Sequence, residues 1–141
     1  MGPPLLFIFY YICHVQKENE IFIPGNVPSS KNSKQWTGKM LINSKSVRKY
    51  IKNTKEHYEN YRNNFKELIK GYKKPYPIVF KFVRGSRHKF DYINPAQTIQ
   101  DLMVKHQWID DDNADELLPF FILYEYNKTN PGVYITIKND I

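Results

Sequence analysis

The chain has 141 residues, enough for one compact core and few for two ordinary domains. Hydrophobic residues make up 41% and charged residues 25%, which excludes a disordered polar chain, and the aromatic share of 16% is high. Lys and Arg number 21 against 14 Asp and Glu, and this net charge of +7 makes a polyanion the first partner to consider.

Residues 4–13 read PLLFIFYYIC, an apolar run half the length of the roughly 20 residues that span a bilayer. No Lys or Arg precedes Lys17, so the charged opening of a signal peptide is missing. Residues 1–19 are therefore expected to be an extra strand or the product of an over-long translation start, and residues 20–141 one domain with no membrane role. Cys13, the single cysteine, excludes an internal disulfide and any Cys-based zinc cluster; a cytoplasmic location follows as the expectation.

Glu20–Pro24 (EIFIP) predicts a short strand closed by Pro24-Gly25, followed by a polar loop from Val27 to Lys39 and a brief strand at Met40–Ile42. From Ser46 the period turns helical. Val47, Tyr50, Ile51, Thr54, Tyr58, Tyr61, Phe65, Leu68 and Ile69 recur at steps of three and four, predicting one long helix to Lys70 with Gly71 as its stop. IVFKFVR after Pro77 alternates as a strand does. Asn94-Pro95 opens a shorter helix, with Asn94 as N-cap and an apolar face of Ile99, Leu102, Met103 and His106. Two closing strands, Phe120–Tyr126 and Val133–Ile137, flank an Asn130-Pro131-Gly132 turn. This order predicts a single small α+β domain of two layers, a mixed sheet with one long and one shorter helix.

The charge is uneven. Lys45 to Lys74 holds ten bases and three acids, an excess equal to that of the whole chain. A second basic group, Arg84, Arg87 and Lys89, precedes Asp91, while Lys31 and Lys34 lie in the early loop. Five acids, Asp110, Asp111, Asp112, Asp115 and Glu116, occupy seven residues. Asp and Asn favour surface turns, which is the plain reading of the cluster. A cation bridging carboxylate and phosphate is the reading that reconciles the two signs, since Mg²⁺ takes hard oxygen ligands from few carboxylates. None of the four histidines has zinc-ligand spacing.

Three segments in this order, PSSKNSKQ (Pro28–Gln35), FDYIN (Phe90–Asn94) and QDLMVKHQWIDDDN (Gln100–Asn113), resemble the RusA family of Holliday-junction resolvases over Ile21 to about Ile137. The resemblance implies a homodimeric endodeoxyribonuclease that nicks four-way DNA junctions symmetrically with Mg²⁺, or with Mn²⁺ in its place. It puts Asp91, Asp112 and Asp111 in catalysis, with Asp110 joining them as a metal ligand. Lys31, Lys34, Arg84, Arg87 and Lys89 would meet backbone phosphates. Ile93 stands where the family motif has its second Asp, and Gln97 where the family often has lysine. These two departures make a junction-binding protein without cleavage the alternative.

Overall fold

The computed structural model describes residues 19–30 and 34–139. The apolar run of residues 4–13, Cys13 and Lys31 lie outside them. The elements are β1 (Ile21–Pro24), β2 (Lys34–Trp36), β3 (Leu41–Asn43), α1 (Lys45–Asn60), α2 (Arg62–Leu68), β4 (Tyr76–Arg84), α3 (Ile93–Lys105), β5 (Leu117–Phe121), β6 (Glu125–Tyr126) and β7 (Gly132–Ile137). The expected α+β class with a mixed sheet is what forms. Among the described residues no helix is long and apolar enough to cross a membrane.

The main sheet runs β1-β7-β4-β5, with β6 continuing the β5 edge of β4. β4 is its spine, antiparallel to β7 on one side and parallel to β5 and β6 on the other. Alternation sorts the two faces. Ile78, Phe80 and Phe82 of β4, Ile21 and Ile23 of β1, and Val133 and Ile135 of β7 are buried, and registered partners such as Phe80 and Ile135 share that face. The opposite face carries Phe22 and Tyr134, with ring centroids 4.6 Å apart, and Lys81 over the Tyr134 ring at 5.7 Å. At Gly132 a Cβ atom would come within 2.5 Å of the Ile23 carbonyl oxygen, so glycine is required there by the close approach of β1.

Four expectations are corrected. The long helix breaks at Tyr61, whose backbone (φ −90°, ψ 0°) ends α1 and starts α2. No Gly or Pro announces this break; beyond it Phe65 is fully buried, its ring 5.2 Å from that of Trp108. The polar loop contains β2, which pairs with β3 as a separate two-stranded ribbon. Tyr92, not Asn94, precedes α3, and Pro95 falls in the first turn, where N–H groups have no intrahelical partner. The closing strands are not joined as neighbours by the Asn130-Pro131-Gly132 turn: the chain crosses the end of β4, so that β5 and β6 lie on one side and β7 on the other.

The helices cover the buried face. Val47, Tyr50, Thr54 and Tyr58 form the inward stripe of α1, and Ser44 caps its start by accepting the Val47 N–H. Tyr50 and Tyr58 share a buried hydroxyl–hydroxyl hydrogen bond of 3.0 Å. Trp108 is fully buried between Tyr58 and Phe65 and donates its indole N–H to the Tyr58 carbonyl at 2.7 Å.

Trp108 reaches this position because α3 ends in a Schellman motif. The Trp108 N–H donates to the Met103 carbonyl at 2.8 Å and the Gln107 N–H to that of Val104 at 3.1 Å, with Gln107 at φ 62°. A side chain in the left-handed region costs about 1 kcal/mol that glycine avoids. Gln107→Gly is therefore expected to raise stability by about 1 kcal/mol, read as a higher midpoint in thermal or urea unfolding.

His106 stacks on Tyr58 with centroids 5.9 Å apart, and its Nε2 is enclosed without a hydrogen-bond partner among the described residues. Burial holds its pKa below the ordinary imidazole value; Glu59 opposes the shift, and Lys105 and Lys55 reinforce it. The unfolded chain thus takes up this proton first. Stability is expected to fall as pH drops below about 6.5, and His106→Gln to flatten that slope in melts between pH 7.5 and 5.

Candidate functional site

The loop after β4 and the start of α3 build the principal pocket. Ser29, Lys89, Phe90, Asp91, Asn94 and Tyr124 line an open depression of about 640 Å³. Asp91 is exposed at the helix start, where its carbonyl accepts the Asn94 N–H at 3.1 Å. Phe90 and Tyr124 meet edge to face with centroids 5.0 Å apart, and the Tyr92 hydroxyl accepts the Tyr124 N–H at 3.2 Å. A carboxylate, an amide and a hydroxyl oxygen therefore open onto one space beside a lysine. These are hard oxygen donors of the kind Mg²⁺ takes, next to a cation suited to phosphate.

The acidic segment is divided by its partners. Asp112 lies against α3 one turn beyond Asn94, where the Gln97 side-chain amide donates to Asp112 at 3.4 Å and to Asp101 at 2.8 Å. Asp111 accepts the Asp112 N–H at 2.8 Å and the Asn113 side-chain amide at 3.0 Å, a role in shaping the turn. Asp110 is drawn away by Lys74 at 3.0 Å, and Lys74 also holds Glu116 at 2.7 Å. The Lys74 hydrogen bond lowers the Asp110 pKa, and hydrogen bonds to Glu116 and Asp110 raise that of Lys74. Among the described residues no three His, Cys, Asp or Glu side chains come together as a group able to hold a metal ion. The expected set of Asp91, Asp110, Asp111 and Asp112 is thus not assembled as one cage. Asp91 faces the pocket, and Asp112 stands on the same helix flank.

Asp101 was not expected here. It lies four residues after Gln97 and seven after Asn94, so helical periodicity places all three on one flank. This polar stripe repeats with the same period as the apolar face of α3, on the flank beside it. Farther along, Asp101 and Lys105 border a second cavity of about 320 Å³ with Lys34 and Asn43 of the β2–β3 ribbon, where Lys34 donates to the Asn43 side chain.

The expected phosphate-contacting cations fall into two groups. Lys34, Arg87 and Lys89 are exposed, and the Arg87 guanidinium lies over the Tyr126 ring at 4.0 Å. Arg84 is corrected: it is only 4% exposed, donates to the Val27 carbonyl at 2.6 Å and lies over the Phe90 ring at 4.7 Å. Burial lowers its pKa from the usual arginine value. Its role is to tie the pocket's floor to the segment leading to Ser29. Arg84→Met, which strands that carbonyl, is expected to cost roughly 2 kcal/mol of stability. Arg87→Ala and Lys89→Ala should stay within about 0.5 kcal/mol in the same urea titration.

In comparisons with known proteins, no family model matches the chain and no curated protein matches it.

Proposed function

We propose that this chain is a metal-dependent endodeoxyribonuclease acting on branched DNA, with four-way junctions as its substrate. The observation that carries this reading is the pocket at the start of α3, where Asp91, Asn94 and Ser29 offer oxygen donors beside Lys89. The resemblance of the three sequence segments to the RusA family supports it. Asp91 and Asn94 would hold Mg²⁺, or Mn²⁺ in its place. When bound, the ion would supply Lewis-acid stabilisation of charge on a scissile phosphate and acidify a water. Lys89 and Arg87 would position the DNA backbone, and recognition would rest on branch shape, because phosphate contacts carry no base sequence. Symmetric nicking of two strands calls for a two-fold homodimer, the commonest oligomer symmetry. Such work would take place in the cytoplasm.

A second reading is a branched-DNA-binding protein that does not cut. The partners of the acids favour it: Gln97 occupies Asp112, Lys74 occupies Asp110, and Asp111 is committed to its turn. Both readings are tested by a labelled four-way junction and a matched linear duplex, each incubated with Mg²⁺, Mn²⁺ or EDTA. The nuclease reading expects junction nicking with either metal and none in EDTA. It expects Asp91→Asn to reduce nicking by about 100-fold or more, equivalent to about 2.7 kcal/mol. Asp110→Asn should leave the rate within about twofold, since Lys74 holds that carboxylate away. Junction binding without metal-dependent nicking would establish the second reading instead.

A further inference from the structure

The β5–β6 connection leaves large apolar side chains in water immediately beside the pocket. Leu123 is 79% exposed and Ile122 48%, while Tyr124 and Tyr126 are partly open. Solitary exposed leucines are ordinary, but this run is contiguous and borders the pocket through Tyr124. It is also rigidly mounted. The Ile122 N–H donates to the Phe80 carbonyl at 3.3 Å and the Tyr124 N–H to the Tyr92 hydroxyl. Tyr92 in turn stacks on Phe121 at 5.5 Å, and Phe121 on buried Phe82 at 6.4 Å. An aliphatic tip is thus fixed to the core through a relay of rings.

We infer that Leu123 and Tyr124 form a wedge that packs against an unpaired or unstacked base of DNA whose backbone lies along the pocket. The inference rests on the nuclease reading and names the part of the substrate that this edge contacts. Charge decides the occupant. The Arg87 guanidinium lies over the Tyr126 ring at 4.0 Å, Lys89 lines the pocket with Tyr124, and the one acid in the run, Glu125, is neutralised by a salt bridge to Lys81. An apolar, aromatic tip beside cations suits a flat base joined to phosphates. A second copy of the chain suits it poorly, because a two-fold contact centred here would bring Arg87 and Lys89 of both copies together.

The test uses the full chain in EDTA, with a four-way junction carrying 2-aminopurine at the branch and a matched duplex carrying it internally. The wild type is expected to prefer the junction and to change the 2-aminopurine fluorescence there. Leu123→Ala, an exposed substitution, should lose at least about fivefold of that preference and the fluorescence change while keeping duplex affinity. Leu123→Phe should retain both. Asp91→Asn should keep binding and the fluorescence signal while losing nicking in Mg²⁺. Unaltered junction preference and fluorescence in Leu123→Ala and Tyr124→Ala, with wild-type nicking intact, would overturn the wedge alone. A change in sedimenting mass in Leu123→Ala without change in junction preference would make the patch an interface between copies and overturn it too. Absence of any DNA binding by the wild type would remove the nuclease reading and the wedge together.

Discussion

One buried hydrogen bond organises this molecule: the Trp108 indole N–H donated to the Tyr58 carbonyl at 2.7 Å. That carbonyl lies near the end of α1, where the helix gives way to α2. An indole removed from water must find an acceptor, and a buried carbonyl left unpaired costs about 1–3 kcal/mol. Satisfying each with the other pins the turn after α3 to the two-part helix before β4. The Schellman turn with Gln107 at positive φ delivers Trp108 to that contact, and Lys66 secures the far side by donating to the Trp108 carbonyl at 2.8 Å. The acids that follow Trp108 are placed as a consequence. Asp110 emerges toward Lys74, and Asp112 emerges against Gln97.

The high aromatic content has a structural use on both faces of the sheet and a separate use at one edge. Tyr58, Phe65 and Trp108 close the helical layer, and Phe80 and Phe82 floor it. On the other face Tyr134 is flanked by Phe22 and has the Lys81 ammonium over its ring, so a partly buried ring meets a charged group. At the β5 edge the rings of Phe121, Tyr92, Phe90 and Tyr124 run outward from the core to the pocket. The same chemistry that fills the interior thus also makes a stiff support for the residues beside Asp91.

The net charge of +7 conceals different fates for its members. Lys55 pairs with Glu59 along α1 at 4.0 Å, an exposed contact worth little. Lys74, Lys81 and Arg84 are engaged within the fold, by two acids, by Glu125 and by the Val27 carbonyl respectively. Arg87 and Lys89 stand exposed near Asp91, and it is this local arrangement that bears on a phosphate-containing partner.

Periodicity alone marked the strands at Glu20–Pro24 and after Pro77, the helical stretch from Ser46, the shorter helix opening at Asn94-Pro95, and the apolar stripes of the two helices. Those properties follow from repeats of two and 3.6 residues, written locally in the chain. Asp91 was legible as a candidate through the resemblance carried by FDYIN, whereas Asn94 was expected only to cap the helix and is brought to the pocket by the fold. The break at Tyr61 and the burial of Arg84 were not legible, because neither depends on a neighbour in sequence. Each is imposed by a distant partner: Phe65 and Trp108 meet across the helical layer, and Arg84 finds a carbonyl at Val27. The same holds for the acids. Five carboxylates within seven residues are one cluster in the sequence, yet Lys74 draws Asp110 and Glu116 to one partner and Gln97 draws Asp112 to another. Spacing put these acids side by side; tertiary structure decided their partners, because Lys74 before β4 and Gln97 of α3 compete for them, and the carboxylate that lines the pocket is Asp91, outside the cluster.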